Sequence, residues 1–220
     1  MIIIMLGAPA SGKGSVAEIV SSELNIPAIS SGDIFRKHIS EETEIGKKLK
    51  EYVNKGELVP DSIVIEMLKE RLEEDDAKNG AILDGFIRTI PQAEAFDKML
   101  EETGNKIDVV VNLEVPDEEI LERVTNRRIC KKCKAVYNTV LSPSKVDGVC
   151  DKCGGDLYQR DDDTLEKATN RLKIYYKETA PLTEYYKEKG VLYSTTLSTS
   201  INRMKEEVAK DVIDYLKKEI

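Results

Sequence analysis

A chain of 220 residues has room for one substantial hydrophobic core and some inserted elements, but not for two unrelated full-size domains. With 40% hydrophobic residues, 34% charged residues and no tryptophan, it reads as a soluble globular protein with a heavily charged surface, which excludes a disordered chain. The formal net charge of -8 excludes a surface built as a whole to hold nucleic acid and leaves that role only to a local basic patch.

The chain opens on MIIIML, an apolar run with no basic residue before it and a glycine loop straight after it, which is neither a signal peptide nor a membrane span. No later stretch approaches spanning length, so a cytoplasmic protein without membrane contact is expected. In a reducing compartment the four cysteines then need an explanation other than structural disulfides.

Ile2 to Leu6 form the first predicted strand, which runs into GAPASGKGS, residues 7–15. This nearly spells the phosphate-loop pattern G-x-x-x-x-G-K-[ST]. Gly7, Gly12 and Lys13 are in register, but Gly14 takes the hydroxyl position and the hydroxyl arrives one residue later, at Ser15. Val16, Ile19, Val20 and Leu24 follow at helical spacing, so the loop joins a strand to a helix N-terminus. In that setting backbone N–H groups converge on a phosphate, the positive helix end adds attraction, and Lys13 reaches the terminal phosphates. The competing reading is a glycine-rich turn that binds nothing.

Further strands are expected at Ile26 to Ile29, Ala81 to Leu83, Val109 to Leu113 and Val191 to Ser194, mostly short apolar runs suited to cover on both faces. Helical spacing marks Ile63, Met67, Leu68 and Leu72, begun by PDS at 60–62. It recurs at Ile120, Leu121 and Val124, and at Met204, Val208, Val212, Ile213 and Leu216. The alternation predicts an α/β fold with a mainly parallel sheet. Two stretches break it and read as insertions: 30–59, polar and holding the only histidine, His38, expected at the surface; and about 126–163, holding all four cysteines in what look like turns and short strands.

The strand ending in Asp84 puts a carboxylate where magnesium beside a phosphate loop would be positioned, although Asp84-Gly85 taken alone reads as an ordinary strand-end turn. Arg88 offers a planar fork for phosphate, and Gln92 a donor and an acceptor for a purine edge. Cys130-x-x-Cys133 and Cys150-x-x-Cys153, sixteen residues apart, have the spacing of a four-cysteine zinc ribbon. Four thiolates close a tetrahedron, so the metal would be structural. The alternatives are a redox pair, unligated thiols, or iron in place of zinc. From Arg123 to Arg160 nine lysines and arginines face three aspartates, a net of +6, or about +4 once four thiolates and Zn²⁺ are counted. Arg123 and Arg127, four apart, project from one side of a helix. Such a patch suits nucleic acid or a triphosphate.

Taken in order, these segments resemble the adenylate kinase family over nearly the whole chain. The loop resembles G-x-P-G-x-G-K-G-T, with Pro9 and Gly14 in place, Ala10 for a glycine and Ser15 for the threonine. SSGDIFR at 30–36 resembles S-T-G-D-x-x-R, and AILDGFIRTIPQ at 81–92 resembles D-G-F-P-R-x-x-x-Q with Ile87 for the proline. QRDDD at 159–163 and NRL at 170–172 resemble the family's later arginine segments, Asn126 replaces a glycine, and longer members carry a lid with metal ligands in this arrangement.

The resemblance implies a five-stranded parallel phosphate-loop sheet flanked by helices. Its core would be 1–29, 60–125 and 164–220, with an AMP-binding insertion at 30–59 and a zinc-binding lid at 126–163. It implies ATP contacts at Ala10, Ser11, Gly12, Lys13, Gly14, Ser15, Arg123, Arg127, Val136, Tyr137 and Thr199. It implies AMP contacts at Ser31, Arg36, Glu57, Leu58, Val59, Gly85, Phe86, Ile87, Arg88, Gln92, Arg160 and Arg171. Asp84 would position magnesium, and Cys130, Cys133, Cys150 and Cys153 would hold structural zinc. Lys13, Arg88, Arg123, Arg127, Arg160 and Arg171 would carry the catalysis. The implied reaction is reversible, Mg²⁺-dependent phosphoryl transfer from ATP to AMP giving two ADP, by a monomer that binds no nucleic acid. The rival readings are a kinase of another nucleoside monophosphate, and a nucleotide-binding regulator whose zinc ribbon reads nucleic acid.

Overall fold

Apolar runs such as IIIML and VVVNL must be covered on both faces, and the chain answers this with a three-layer arrangement. The computed structural model describes residues 1–55, 57–200 and 203–219. Its central sheet contains β1 (Ile2–Gly7), β2 (Ala28–Ser30), β3 (Ala81–Asp84), β4 (Val109–Glu114) and the late strand Leu192–Thr196. A separate small sheet contains β5 (Arg127–Cys130), β6 (Val136–Asn138) and β7 (Leu157–Tyr158), so the late strand is β8. The helices are α1 (Lys13–Leu24), α2 (Ser31–Ser40), α3 (Glu44–Lys55), α4 (Asp61–Leu72), α5 (Ile90–Glu102), α6 (Asp117–Thr125), α7 (Leu165–Ile174), α8 (Leu182–Glu188) and α9 (Lys205–Glu219).

The central sheet is parallel throughout, in the order β2-β3-β1-β4-β8, with Ile3 opposite both Ile82 and Val109, and Val111 opposite Tyr193. Successive residues of β1 feed opposite faces. Ile3 and Met5 join Ile82, Val109 and Val111 under α1 (Val16, Val20) and α9 (Val208, Val212, Leu216). Ile2, Ile4 and Leu6 join Leu83 and Val110 under α4 (Val64, Leu68), α5 (Ala93, Phe96, Leu100) and α8 (Leu182, Tyr186). The strand order reverses about β1, so the loop after β1 lies at the switch point where α/β sheets bind ligands.

The polar stretch 30–59 contains two packed helices, α2 and α3, whose apolar contribution is narrow: Phe35 and Leu49 are buried. They cross so closely at Gly46 that a Cβ there would lie 2.1 Å from the carbonyl oxygen of His38. His38 is not the surface residue the sequence suggested. It is half-buried at the end of α2, with Nδ1 3.1 Å from the Thr43 hydroxyl, because the tight turn between the helices folds back over it.

The cysteine segment forms the antiparallel sheet β6-β5-β7, with Ile129 opposite Val136 and Cys130 opposite Leu157. Its interior is minimal: Cys130, Ala135 and Cys150 with Tyr137 and Leu157 against them. So few apolar groups cannot hold a fold of this size without a staple. α7 continues into a π-helical turn, Tyr175–Thr179, before α8. No described helix is long and apolar enough to cross a membrane.

Candidate active site and metal centre

The phosphate loop leaves β1 at Gly7 and enters α1 through Gly12, whose φ of 95° ends the loop and whose missing side chain leaves the first-turn N–H groups uncapped. Lys13 folds back over the loop, and its Nζ donates to the carbonyls of Gly7 and Ala8, each at 2.8 Å. Ala10 holds the left-handed conformation, φ 60°, that a glycine would adopt without cost. At Gly14 a Cβ would lie 3.6 Å from Asp84 Oδ2, so the residue that displaces the usual hydroxyl faces the carboxylate at the end of β3.

Six cations share one electrostatic field here. Burial lowers the pKa of Lys13; Asp84 opposes that shift, while Arg88 and Arg127 add to it. Burial likewise lowers Arg88, with Asp84 opposing and Arg171 and Arg36 adding. Arg160 falls to about 10, through burial first and then the charges of Arg36 and Arg127. Like charges stay together only if carboxylates are threaded among them. Asp163, with no exposed side-chain surface, takes two hydrogen bonds from Arg127, one of them from Nε at 2.9 Å. Although burial lowers Arg127, this pairing raises it on balance. Asp162 pairs with Arg171, and Asp33 with Arg36 at 2.5 Å. The buried Nε of Arg160 has no hydrogen-bond partner among the described residues. The charge balance at this end of the sheet therefore favours an anion.

Arg123 has a carboxylate partner of its own and is tied directly to the phosphate loop. Its guanidinium donates to Glu119 Oε2 at 2.8 Å and to the carbonyls of Ser11 and Leu197, each at 3.3 Å. Glu119 also accepts from the Ser198 hydroxyl, from the N–H of Thr199 at 3.1 Å and from that of Ser200 at 3.3 Å. Burial disfavours its charge, but the Ser198 hydroxyl and the two N–H groups bring its pKa down to about 2. The pair thus staples α6 to the phosphate loop and to the turn after β8, and it brings Arg123 and Thr199 to one locus.

On the other flank, Gly85 has φ 80°, and a Cβ there would lie 2.9 Å from both the Ser31 hydroxyl and the Arg88 guanidinium. Only glycine lets these groups converge. Its carbonyl accepts from Ser31 Oγ and from Arg88 Nε, both at 2.7 Å. The Arg88 backbone donates to Gln92 Oε1 at 2.7 Å and accepts from Thr179 Oγ1 at 2.8 Å. This clasp aims Arg88 where the sequence lacks a proline at 87. Gln92 Nε2 donates to Asp61 Oδ1 at 2.7 Å. Val59, Phe86 and Ile87 are buried beside this corner, Leu58 is half-buried and Glu57 is exposed.

In the small sheet the four cysteine Sγ atoms all lie within 4.8 Å of one another, with Cys130 to Cys153 at 3.4 Å and Cys133 to Cys150 at 3.5 Å. A zinc tetrathiolate with Zn–S bonds of about 2.3 Å has sulfur–sulfur edges of about 3.8 Å, so the donor set fits the metal. A hydrogen bond from the Tyr137 hydroxyl is the main cause lowering Cys150 to about 6. At Cys133 the Ala135 N–H favours the thiolate, but the neighbouring thiols outweigh it and push the group up to about 12. Tyr137 also accepts from the Asp151 N–H at 2.8 Å, so it braces the second knuckle, while Val136 beside it is exposed. Asn126 ties the start of this segment down: its Oδ1 accepts from Thr139 Oγ1 at 3.1 Å and its carbonyl from the Thr139 N–H at 2.9 Å.

Sequence reasoning missed Glu119, Asp61, Asp162, Asp163 and Thr179. Only the QRDDD run carried a signal, an acidic cluster directly after a site arginine.

A parallel sheet with a phosphate loop at its switch point, ringed by cations and flanked by a helical insertion and a cysteine ribbon, defines a phosphate-loop nucleotide kinase. The family model described as adenylate kinase matches residues 5–191. An adenylate kinase of Caldicellulosiruptor saccharolyticus is 55% identical over 210 residues, 96% of this chain and 98% of the relative. That of Caldicellulosiruptor bescii is 58% identical over 192 residues, 87% and 89% of the two chains. That of Archaeoglobus fulgidus is 50% identical over 208 residues, 94% and 96% of the two. The chain belongs to the adenylate kinase family.

Proposed function

We propose that this chain catalyses reversible Mg²⁺-dependent phosphoryl transfer from ATP to AMP, giving two ADP. The observation that carries the reading is the phosphate loop whose Lys13 lies in one field with Asp84, Arg88 and Arg127, a field that Arg36, Arg160 and Arg171 extend from Arg88 and Arg127. Such a field suits the alignment and neutralisation of two polyanions. An AMP phosphate is already ionised at neutral pH, so the acceptor needs no general base and the work lies in positioning and electrostatics. Lys13, Arg127, Arg160 and Arg171 neutralise charge gathering on the transferred group, and Arg36 and Arg88 hold the acceptor in line. Arg123, held by Glu119 against the Ser11 carbonyl of the phosphate loop, adds to that neutralisation from the donor side. Magnesium arriving with ATP supplies further charge neutralisation, and Asp84 is the carboxylate that would hold its water shell.

In this reading residues 30–59 form the AMP-binding insertion and 126–163 the lid, over a core of 1–29, 60–125 and 164–220. The lid closes to exclude water as a competing acceptor. Zinc on Cys130, Cys133, Cys150 and Cys153 supplies stiffness alone, because four thiolates leave no open position. The chain works as a cytoplasmic monomer without nucleic acid.

The test is to mix the protein with ATP, AMP and Mg²⁺ and follow ADP, with ATP alone and with ATP plus CMP, UMP or GMP alongside. Two ADP formed per ATP, with slow loss of ATP by itself, is expected. Transfer to another monophosphate in preference to AMP, or none to any, refutes the reading.

A further inference from the structure

We propose that Asp61 sets the purine selectivity of the monophosphate site by locking the side-chain amide of Gln92, an inference that rests on the AMP reading above. Gln92 is 1% exposed and lies in the first turn of α5, where its own backbone N–H is fixed by the Thr89 hydroxyl at 3.2 Å. Each end of its amide meets a partner of defined polarity. The oxygen accepts from the Arg88 backbone N–H, which can only donate; the nitrogen donates to the Asp61 carboxylate, which when ionised can only accept, both at 2.7 Å. Turning the amide over would set oxygen against carboxylate and N–H against N–H. The orientation is thereby dictated by chemistry, and the carboxylate is the stronger of the two locks because its hydrogen bond is charge-assisted.

A locked amide has one N–H and one oxygen lone pair left to offer, in a fixed left-to-right order. A 6-aminopurine presents an acceptor at N1 beside a donor at position 6, whereas a 6-oxopurine presents the reverse. One order fits one purine class. An amide free to turn over would fit both, so Asp61, without touching substrate, would keep 6-oxopurine monophosphates out. The competing role for Asp61 is a favourable charge at the first position of α4, which would affect stability and leave selectivity alone.

The test uses IMP, which differs from AMP only in this edge and lacks the extra amino group of GMP. kcat/KM is measured for AMP and IMP with Mg-ATP in the wild type, Asp61→Asn, Gln92→Ala and the double variant, with thermal melting of each. Expected is a wild type that prefers AMP and an Asp61→Asn variant whose AMP:IMP ratio falls by about tenfold or more, the loss of one charge-assisted lock. The change should lie in the acceptor KM, with KM for ATP unmoved, and adding Asp61→Asn to Gln92→Ala should leave the ratio as it was. An unchanged ratio in Asp61→Asn, or an equal change in the Gln92→Ala background, overturns the inference while the AMP reading stands. A wild type indifferent to AMP and IMP likewise overturns the inference, since no selectivity is then there to set, whereas a preference for IMP or no transfer to AMP overturns the AMP reading itself. Should Asp61→Asn not fold, Asp61→Ser removes the same lock and is read in the same way.

Discussion

Replacing Glu119 with glutamine removes one negative charge and almost no volume, so it isolates what that charge does. Its pKa lies at about 2, against 4.5 for an ordinary glutamate. At about 1.4 kcal/mol per unit this corresponds to an upper bound of roughly 3 kcal/mol, and solvent screening of a carboxylate near the surface brings it to about 1–3 kcal/mol. The group's folded pKa is depressed. Its contribution is therefore fully present above the unfolded pKa, near 4.5, and is lost as the pH falls through the folded value near 2. Glutamine mimics the protonated acid. Urea unfolding of wild type and Glu119→Gln should differ by about 1–3 kcal/mol at pH 7, with the gap closing as the pH is lowered from 4.5 towards the acid limit of folding. The same variant loosens Arg123 and the Ser198–Ser200 turn, so KM for ATP should rise more than KM for AMP. A stability gap that stays constant from pH 7 to pH 3.5 would refute the electrostatic account and leave only packing.

Lys13→Ala and Arg88→Ala should each reduce kcat by about 10²-fold or more with melting temperature nearly unchanged, since each removes a cation aimed at the anion site; steady-state kinetics check this, and undiminished turnover would defeat the assignment. Chelation of the metal, or Cys130→Ser, should expose the 126–163 segment to protease and lower its melting temperature while transfer persists in the cold. Identical proteolysis with and without chelator counts against a structural metal. Ala10→Gly sets the relief of about 1 kcal/mol of left-handed strain against a slightly smaller entropic cost in the unfolded chain. The expected change is a stabilisation below about 1 kcal/mol by denaturant unfolding, and a loss larger than that would mean the Ala10 methyl makes a contact worth more than the strain.

The five central strands, the loop and helix after β1, and the paired cysteines could be read from the chain because each rests on neighbours in sequence. Buried parallel strands are unbroken apolar runs, and a phosphate loop or a metal knuckle is a turn of fixed spacing. α2 and α3 were not evident as helices because two mostly solvated helices that lean on each other through Phe35, Gly46 and Leu49 leave only a thin apolar trace. α5 was hidden behind Pro91, whose place just inside the helix start is favourable and yet looks like a break.

The sequence by itself determined the α/β class, the phosphate loop with its displaced hydroxyl, the four-thiol centre and the pool of arginines from which the site is drawn. Only the tertiary structure decided which carboxylate answers which cation. Asp163 reaches Arg127 across 36 residues, Gln92 reaches Asp61 across 31, and Ser198 reaches Glu119 across 79. It also ended α6 at Thr125 and put Arg127 in β5, so the two arginines expected on one helix face stand on different elements. The reason is physical: local pattern is written by covalent geometry and by the burial of apolar faces, which neighbours in sequence share. Charge pairing falls off within a few ångströms in space and carries no period along the chain.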